Sequence, residues 1–364
     1  MTTLRLAAVG DVSLGDQPSC FGFGVRGRHD RNRYASLIRD ARIADALQQA
    51  DLAFANLECA YNDAEPMKLA SHFMCASRTG LHFLHSLGIR MVDVANNHVL
   101  ERGAAGLREL TAALDALGIV HVGLDPVHIG EYGRKRIAFR AYSAVPDFKH
   151  ADAMRLWHDD ELETIRRAAA DVDFCIVAMH WGNEFVDVPS REQIRIGHAL
   201  VEAGADLVLG AHPHVLQPVE RYQDRLIAYS LGNFIFDGCM DNTFLSAVFT
   251  FDIDLDTRRS QFQVLPVVAS PRDYSLTVAE GDLARRIEEQ IAGRVTPLSD
   301  DDYNRRVLEM RHAYRRAVLD KALRNAFRFR DRLGILAWAL KRIFFIIKNR
   351  KRERRDPNEV YTWK

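Results

Sequence analysis

Along the first 235 residues, short apolar runs repeatedly end on a polar side chain of one restricted kind. Six segments carry the pattern: Val9-Gly10-Asp11, Asn56-Leu57-Glu58, Ala95-Asn96-Asn97-His98, His180-Trp181-Gly182, Gly210-Ala211-His212-Pro213-His214 and Tyr229-Ser230-Leu231-Gly232-Asn233-Phe234. Five of them set Asp, Glu, Asn or His directly behind a run that reads as a buried strand. Strands alternating with amphipathic stretches imply a layered α/β core. In such cores the loops at the carboxyl ends of the strands are free to vary, and ligands collect there. The pattern predicts one shared site.

The expected strands are Leu4–Val9, Leu52–Ala55, Met91–Ala95, Ile119–Val122, Phe174–Met179, Leu207–Leu209 and Leu226–Ser230. Helical spacing covers Ile43–Gln49, Leu81–Leu87, Ala104–Leu117 and Glu192–Ala203, with Gly88 and Gly118 as stops. Ser246–Leu255 and Gln261–Val268 alternate apolar with polar residues and read as a hairpin-like pair. Beyond about residue 281 the rhythm ends. Leu283–Ile291 and Tyr303–Phe329 read as helices, so residues 1–280 form one expected domain and 281–364 a helical extension.

Charge divides the chain at the same place. The 364 residues hold 49 Lys plus Arg and 49 Asp plus Glu, yet residues 281–364 carry 22 basic against 12 acidic, leaving the first 280 at a net of −10. That acidic part makes a duplex nucleic acid an unattractive substrate. Five cysteines with no Cys-x-x-Cys pair suit free thiols in a reducing compartment. The opening apolar run is shorter than the roughly 7–15 residues of a signal-peptide core. A cytoplasmic protein is expected.

Hard oxygen and imidazole donors, with a carboxylate able to bridge, suit a dinuclear site for Mn, Fe or Zn. Each residue has a plainer reading when taken singly. Asp11 and Asn96-Asn97 could be turn residues, Glu58 a cap, and His180 a satisfied core imidazole. An extended His212-Pro213-His214 would send both imidazoles to one side of a strand. Tyr229–Phe234 reads equally as a strand end with a tight glycine turn. Five coincidental polar strand ends are far less expected than one assembled site.

The ordered set resembles the CapA family, the poly-γ-glutamate capsule-biosynthesis proteins of the calcineurin-like metallophosphatase superfamily. The resemblance runs from about Leu4 to Pro271 and includes Gly103 and the helix Gly106–Leu117. It implies a four-layer α/β/β/α sandwich of the metallophosphatase type, followed here by the C-terminal helical extension. It also implies two divalent ions: Asp11 and His214 on the first, Asn97, His180 and His212 on the second, and Glu58 bridging. His98 would serve as general acid or transition-state stabiliser, and Asn96, Trp181, Asn183, Glu184 and Asn233 would shape the substrate pocket, with Phe234 beside them. Ser13 stands where many metallophosphatases carry a histidine, so the first ion is expected to be ligand-poor. Glu101 stands where the family usually has Asp.

The activity so implied is that of a metal-dependent hydrolase, with metal-bound hydroxide attacking a phosphate ester in capsule or exopolymer synthesis. Its substrate would be an anionic, phosphate-bearing or polymer-precursor molecule, steered in part by Arg26, Arg28, His29, Arg31 and Arg33. The alternative is a non-hydrolytic accessory component of a polymer synthesis or export complex. Hydrolysis of amide bonds in a glutamate polymer is a third option.

Leu333–Ile347 is too short to span a bilayer, which takes about 20 apolar residues. Lys348–Arg355 then adds six basic residues and one acidic. Beside Trp338, Phe344 and Phe345, this run suits a peripheral helix on an anionic surface at the inner face of the membrane. Packing on the catalytic domain is the equal alternative.

Overall fold

The computed structural model describes residues 2–124, 127–145, 154–325, 334–341 and 344. The first third of the chain runs β1 (Thr3–Val12), α1 (Val25–His29), α2 (Ala41–Gln48), β2 (Leu52–Leu57) and β3 (Ala60–Tyr61). It continues through α3 (Leu69–His72), β4 (Cys75–Ala76), α4 (Arg78–Ser86), β5 (Ile89–Asp93), α5 (Gly103–Asp115) and β6 (Val120–Val122). Next come β7 (His128–Tyr132), β8 (Lys135–Ser143), α6 (Glu161–Ala170), β9 (Phe174–His180), α7 (Arg191–Glu202) and β10 (Leu207–Ala211). The remainder is β11 (Val219–Tyr222), β12 (Arg225–Ala228), β13 (Asn233–Ile235), β14 (Leu245–Asp254), β15 (Arg259–Ala269), β16 (Leu276–Val278), α8 (Gly281–Ile291) and α9 (Asp300–Asn325).

Two sheets result. One is ordered β16-β15-β14-β1-β2-β5-β6, with β13 also paired to β1, and the other is β11-β12-β10-β9-β8-β7. Side-chain alternation along each strand dictates the layers. Leu4, Leu6, Phe54, Ile176, Leu209 and Phe249 meet in a core between the sheets. Their neighbours Ala7, Val9, Ala53 and Ala55 face outward under Ile43, Leu84 and Leu110 of α2, α4 and α5. On the second sheet, Val177, Val208 and Ile227 face Ile165 and Leu200 of α6 and α7. The order of layers is α/β/β/α.

The parallel strands β1, β2, β5 and β6 of one sheet, and β8, β9, β10 and β12 of the other, bring their carboxyl ends to one rim each. At β1 the strand runs on past its expected end, because Asp11 pairs with both Asn56 and Asn233. A Cβ on Gly10 would lie 1.8 Å from the Gly232 carbonyl oxygen, so the approach of β13 requires glycine there. Register slips between Val9 and Asp11. Val9 faces the helices, and in a regular strand Asp11 would do the same. The slip turns its carboxylate toward the second sheet instead.

Several elements depart from the sequence reading. Strands β7 and β8 and helix α6 lie where no element is expected, because charged Arg136 and Arg140 interrupt the apolar pattern. Arg140 is buried beside the Tyr142 hydroxyl (2.9 Å) and the Glu161 carboxylate (3.3 Å), which offsets the burial of its charge. Beyond Gly281, Ile287 and Ile291 of α8 enter the core between the sheets. Tyr303 and Val307 of α9 pack on Val186. Among the described residues of the C-terminal arm, Ile335 and Trp338 pack with Phe21 and Leu69, while the basic run after Arg342 lies outside the described residues. No helix among the described residues is long and apolar enough to cross a membrane. The five cysteines are free.

Candidate metal centre

The two rims converge on a buried polar cluster. From the first sheet come Asp11 at the end of β1, Glu58 just after β2, and Asn97 and His98 beyond β5. From the second come His180, ending β9, and His212 and His214 beyond β10. Among the described residues, two sets of donor atoms each lie within 4.8 Å of one another: Asp11, Glu58 and His214, and Glu58, His180 and His212. Glu58 belongs to both.

The His212-Pro213-His214 segment is not extended, contrary to the sequence reading. β10 stops at Ala211, and His212 (φ 94°) and His214 (φ 58°) both adopt left-handed backbone. This conformation is strained for residues bearing a Cβ. Here it curls the loop so that the two imidazoles reach different donor sets, with ring centroids 5.9 Å apart.

Short contacts fix the cluster. Asp11 Oδ1 accepts from Asn56 Nδ2 at 2.7 Å, and His214 Nδ1 stands 3.1 Å from Asp11 Oδ2. His180 Nε2 lies 2.9 Å from Asn97 Oδ1 and 3.9 Å from Glu58 Oε1. His214 Nε2 lies 3.7 Å from the same Glu58 oxygen. His98 Nε2 stands 3.9 Å from it, and His98 Nδ1 pairs with Glu101 Oε1 at 2.9 Å. The His98 side chain is 18% exposed whereas that of Glu58 is fully buried, so His98 is the group that faces incoming solute.

Electrostatics show what the cluster lacks. Burial pushes the Glu58 carboxyl well above the usual carboxylate range and holds His180 and His212 well below the usual imidazole range. At His214 burial opposes charge, but the Glu58 and Asp11 carboxylates overcome it and raise the imidazolium to about 10. Both Glu58 oxygens and His212 Nδ1 are buried without a hydrogen-bond partner. A buried carboxylate with no donors costs several kcal/mol. Divalent ions fit here, since the donors are carboxylate oxygen and imidazole nitrogen and the orphaned atoms belong to residues of the donor sets.

The expected pocket residues separate into two groups. Glu184 and Asn233 line the cavity that opens from the cluster, and the Asn233 Oδ1 lies 3.0 Å from His214 Nδ1. Trp181 does not reach it: its indole stacks on Tyr229 in the core beneath α7, and its Nε1 donates to the Tyr229 carbonyl at 2.8 Å. Asn183 turns toward the Tyr303 hydroxyl of α9. Asn96 is spent on the scaffold, donating to Leu57 O and accepting from the His98 and Val99 amides. Phe234 is a core residue. In the basic loop, Arg26 is buried and donates to the Asn62 and Cys75 carbonyls, which makes it a fastener and removes it from any steering role. Asn56, Phe73 and Phe185 also belong to the site, and for Asn56 the sequence signal is its place in the Asn56-Leu57-Glu58 segment.

The family model described as bacterial capsule synthesis protein PGA_cap matches residues 5–238. The capsule biosynthesis protein CapA of Bacillus anthracis is 28% identical over 260 residues, covering 64% of this chain and 60% of its own length. The PGA biosynthesis protein CapA of Bacillus subtilis (strain 168) is 26% identical over 264 residues, covering 65% of this chain and 68% of its own length. A relative in Mycobacterium tuberculosis named "Probable polyglutamine synthesis accessory protein" is 29% identical over 178 residues, with 42% and 47% covered. The chain thus spans about 60% of the length of the Bacillus anthracis relative. Among solved structures, a 5'-nucleotidase of Candida albicans SC5314 aligns with a TM-score of 0.39 at 10% identity, covering 79% of this chain and 56% of that one.

Proposed function

This chain belongs to the bacterial capsule synthesis protein family PGA_cap, and from that premise we propose that it is a metal-dependent phosphoesterase-like protein of capsule or exopolymer biosynthesis. The observation that carries the reading is the shared, unpartnered Glu58 carboxylate between two three-donor sets. Asp11 and His214 would hold one ion, His180, His212 and Asn97 the other, and Glu58 both. Divalent cations so placed supply positive charge to phosphoryl oxygens and an acidified water. The chain's own residues do the rest. Asn56 fixes the Asp11 carboxylate by its 2.7 Å hydrogen bond, Glu101 orients the His98 ring, and His98 Nε2 faces the cluster from its exposed side. In ester hydrolysis water adds to phosphorus while the P–O bond to the alcohol breaks. His98 is placed to give the departing oxygen its proton.

The test is metal analysis of the purified full chain beside a screen of phosphomonoesters and phosphodiesters. Two ions per chain, with turnover lost in both His98→Ala and Glu58→Ala, is the expected result. Metal-free protein that stays inactive after Mn²⁺ addition overturns the reading.

A second reading, a non-hydrolytic accessory component, draws on the name of the Mycobacterium tuberculosis relative. It also draws on Ser13, whose buried hydroxyl lacks a partner where a further ligand to the first ion is expected. Two bound ions without turnover of any ester would favour it.

A further inference from the structure

The metal centre opens into a cavity of about 490 Å³ whose far wall is built by the C-terminal arm. The size is that of a pocket for a small organic molecule, and its chemistry is lopsided. Two aromatic lines run outward from the centre. One goes from His214 to Phe185 (5.9 Å) and on to Tyr314 of α9, stacked at 4.4 Å. The other goes from His98 to the edge-on ring of Phe73 at 6.0 Å, in the cluster where Trp338 of the arm also packs. Leu69, Met74, Phe236 and Val318 add to the apolar lining.

Charge points the same way. Glu101 and Glu184 both line this space, and Lys341 is the only Lys or Arg among its described lining residues. A polyanion such as a glutamate polymer would place repeated carboxylates beside these two acids. A hydrocarbon chain would meet aromatic and aliphatic surface instead, and burying it there is favourable by the area it removes from water.

We infer that the substrate is an amphiphilic phosphate ester, with its phosphate at the metal centre and a single alkyl or prenyl-type chain lying between Phe73, Phe185, Tyr314 and Trp338. The inference rests on the phosphoesterase reading and names the substrate class for it. The C-terminal arm is then part of the binding site, since without Tyr314, Val318 and Trp338 the chain would lie in water on one side.

Calorimetric titration of the full-length protein, once stripped by chelator and once reloaded with Mn²⁺, with methyl-, hexyl- and decylphosphonate, each below its micelle concentration, tests this without turnover. The dissociation constant is expected to fall at least thirtyfold from methyl to hexyl, against a ceiling of about fourfold per buried methylene. Ala70→Trp, which fills the cavity from an exposed position, should remove that gain while circular dichroism and melting temperature report an intact fold. Mn²⁺-dependent binding that is equal for all three chain lengths overturns the inference and leaves the phosphoesterase reading standing. Decylphosphonate binding that ignores Mn²⁺ overturns both.

Discussion

The Nδ1 of His98 lies 2.9 Å from Glu101 Oε1, and the Nε2 of the same ring lies 3.9 Å from Glu58 Oε1. The imidazole is thereby held by one carboxylate and presented to another, on the only partly exposed edge of the donor cluster. Glu101 reaches the ring although it stands where an aspartate is expected, its side chain closing back across the turn that precedes α5.

A general acid matters most when the leaving oxygen is basic. His98→Ala should lower kcat on alkyl phosphates by about 10²–10⁴. It should cost less than about tenfold on a 4-nitrophenyl ester, whose leaving group needs little protonation. Glu101→Gln keeps the shape but weakens ring orientation, so kcat should fall about tenfold with KM unchanged. Steady-state kinetics on the paired substrates read both.

Glu58→Gln addresses the shared ligand. Metal content by inductively coupled plasma mass spectrometry should drop from two ions to fewer than one per chain. Mn²⁺ at about 100 times its dissociation constant should stabilise the chelator-stripped wild-type chain by about 2.7 kcal/mol and leave the variant unchanged. An equal rise in melting temperature for both proteins would place the ions elsewhere.

Asp16 gives the fold a pH dependence separate from the metal centre. Its carboxyl is pushed up to about 7, first by burial and then by the Asp237 carboxylate, against the lowering effect of the Gly27 and Gly22 amides. Because the folded value lies above the unfolded one, the native state holds more protons between about pH 4 and 7. The group's stabilisation is full below that window and is lost as pH rises through it. Urea unfolding between pH 5 and 8 should show the wild type losing up to about 3 kcal/mol, the share of the window above pH 5 at about 1.4 kcal/mol per unit. Asp16→Asn should flatten that slope, although its absolute stability falls because an amide cannot accept from both glycines.

Recruitment to anionic lipid is expected from the run Lys348–Arg355, at about 1 kcal/mol per basic residue near the surface. Changing its six Lys and Arg to Gln is a better test than truncation, because cutting at Asp331 would also remove Trp338 and Lys341 from the cavity wall. Full-length protein should float with vesicles containing phosphatidylserine, and the Gln variant should stay at the bottom of the gradient.

The local signals were those a strand carries in itself. Phe174–Met179, Leu207–Leu209 and the alternating pair after Ser246 are apolar or alternating over their whole length, and they fold as β9, β10, β14 and β15. What local pattern could not supply were contacts made far along the chain. Strand β1 outruns Val9 because Asn233, more than 200 residues later, pairs with Asp11. Trp181 follows the donor His180 in sequence yet faces the opposite side of its sheet, where the Tyr229 carbonyl takes its N–H. The left-handed turns at His212 and His214 are paid for by the tertiary setting, and no propensity of His-Pro-His announces them. The donor residues themselves were legible because strand ends mark them; the apolar cavity was not, since its far wall comes from α9 and the arm, more than 70 residues beyond the last donor.

Because Asp11, Glu58 and Asn97 stand at strand ends of one sheet and His180, His212 and His214 at those of the other, two ions bound at this rim would act as a rivet. Elsewhere the sheets meet through apolar packing and, at the amino end of β10, through the Asp206–Arg258 ion pair at 2.6 Å. Loading would lock their relative shear. Amide hydrogen exchange should then slow together at the carboxyl ends of β1, β2, β9 and β10, strands that share no single hydrogen-bonded ladder.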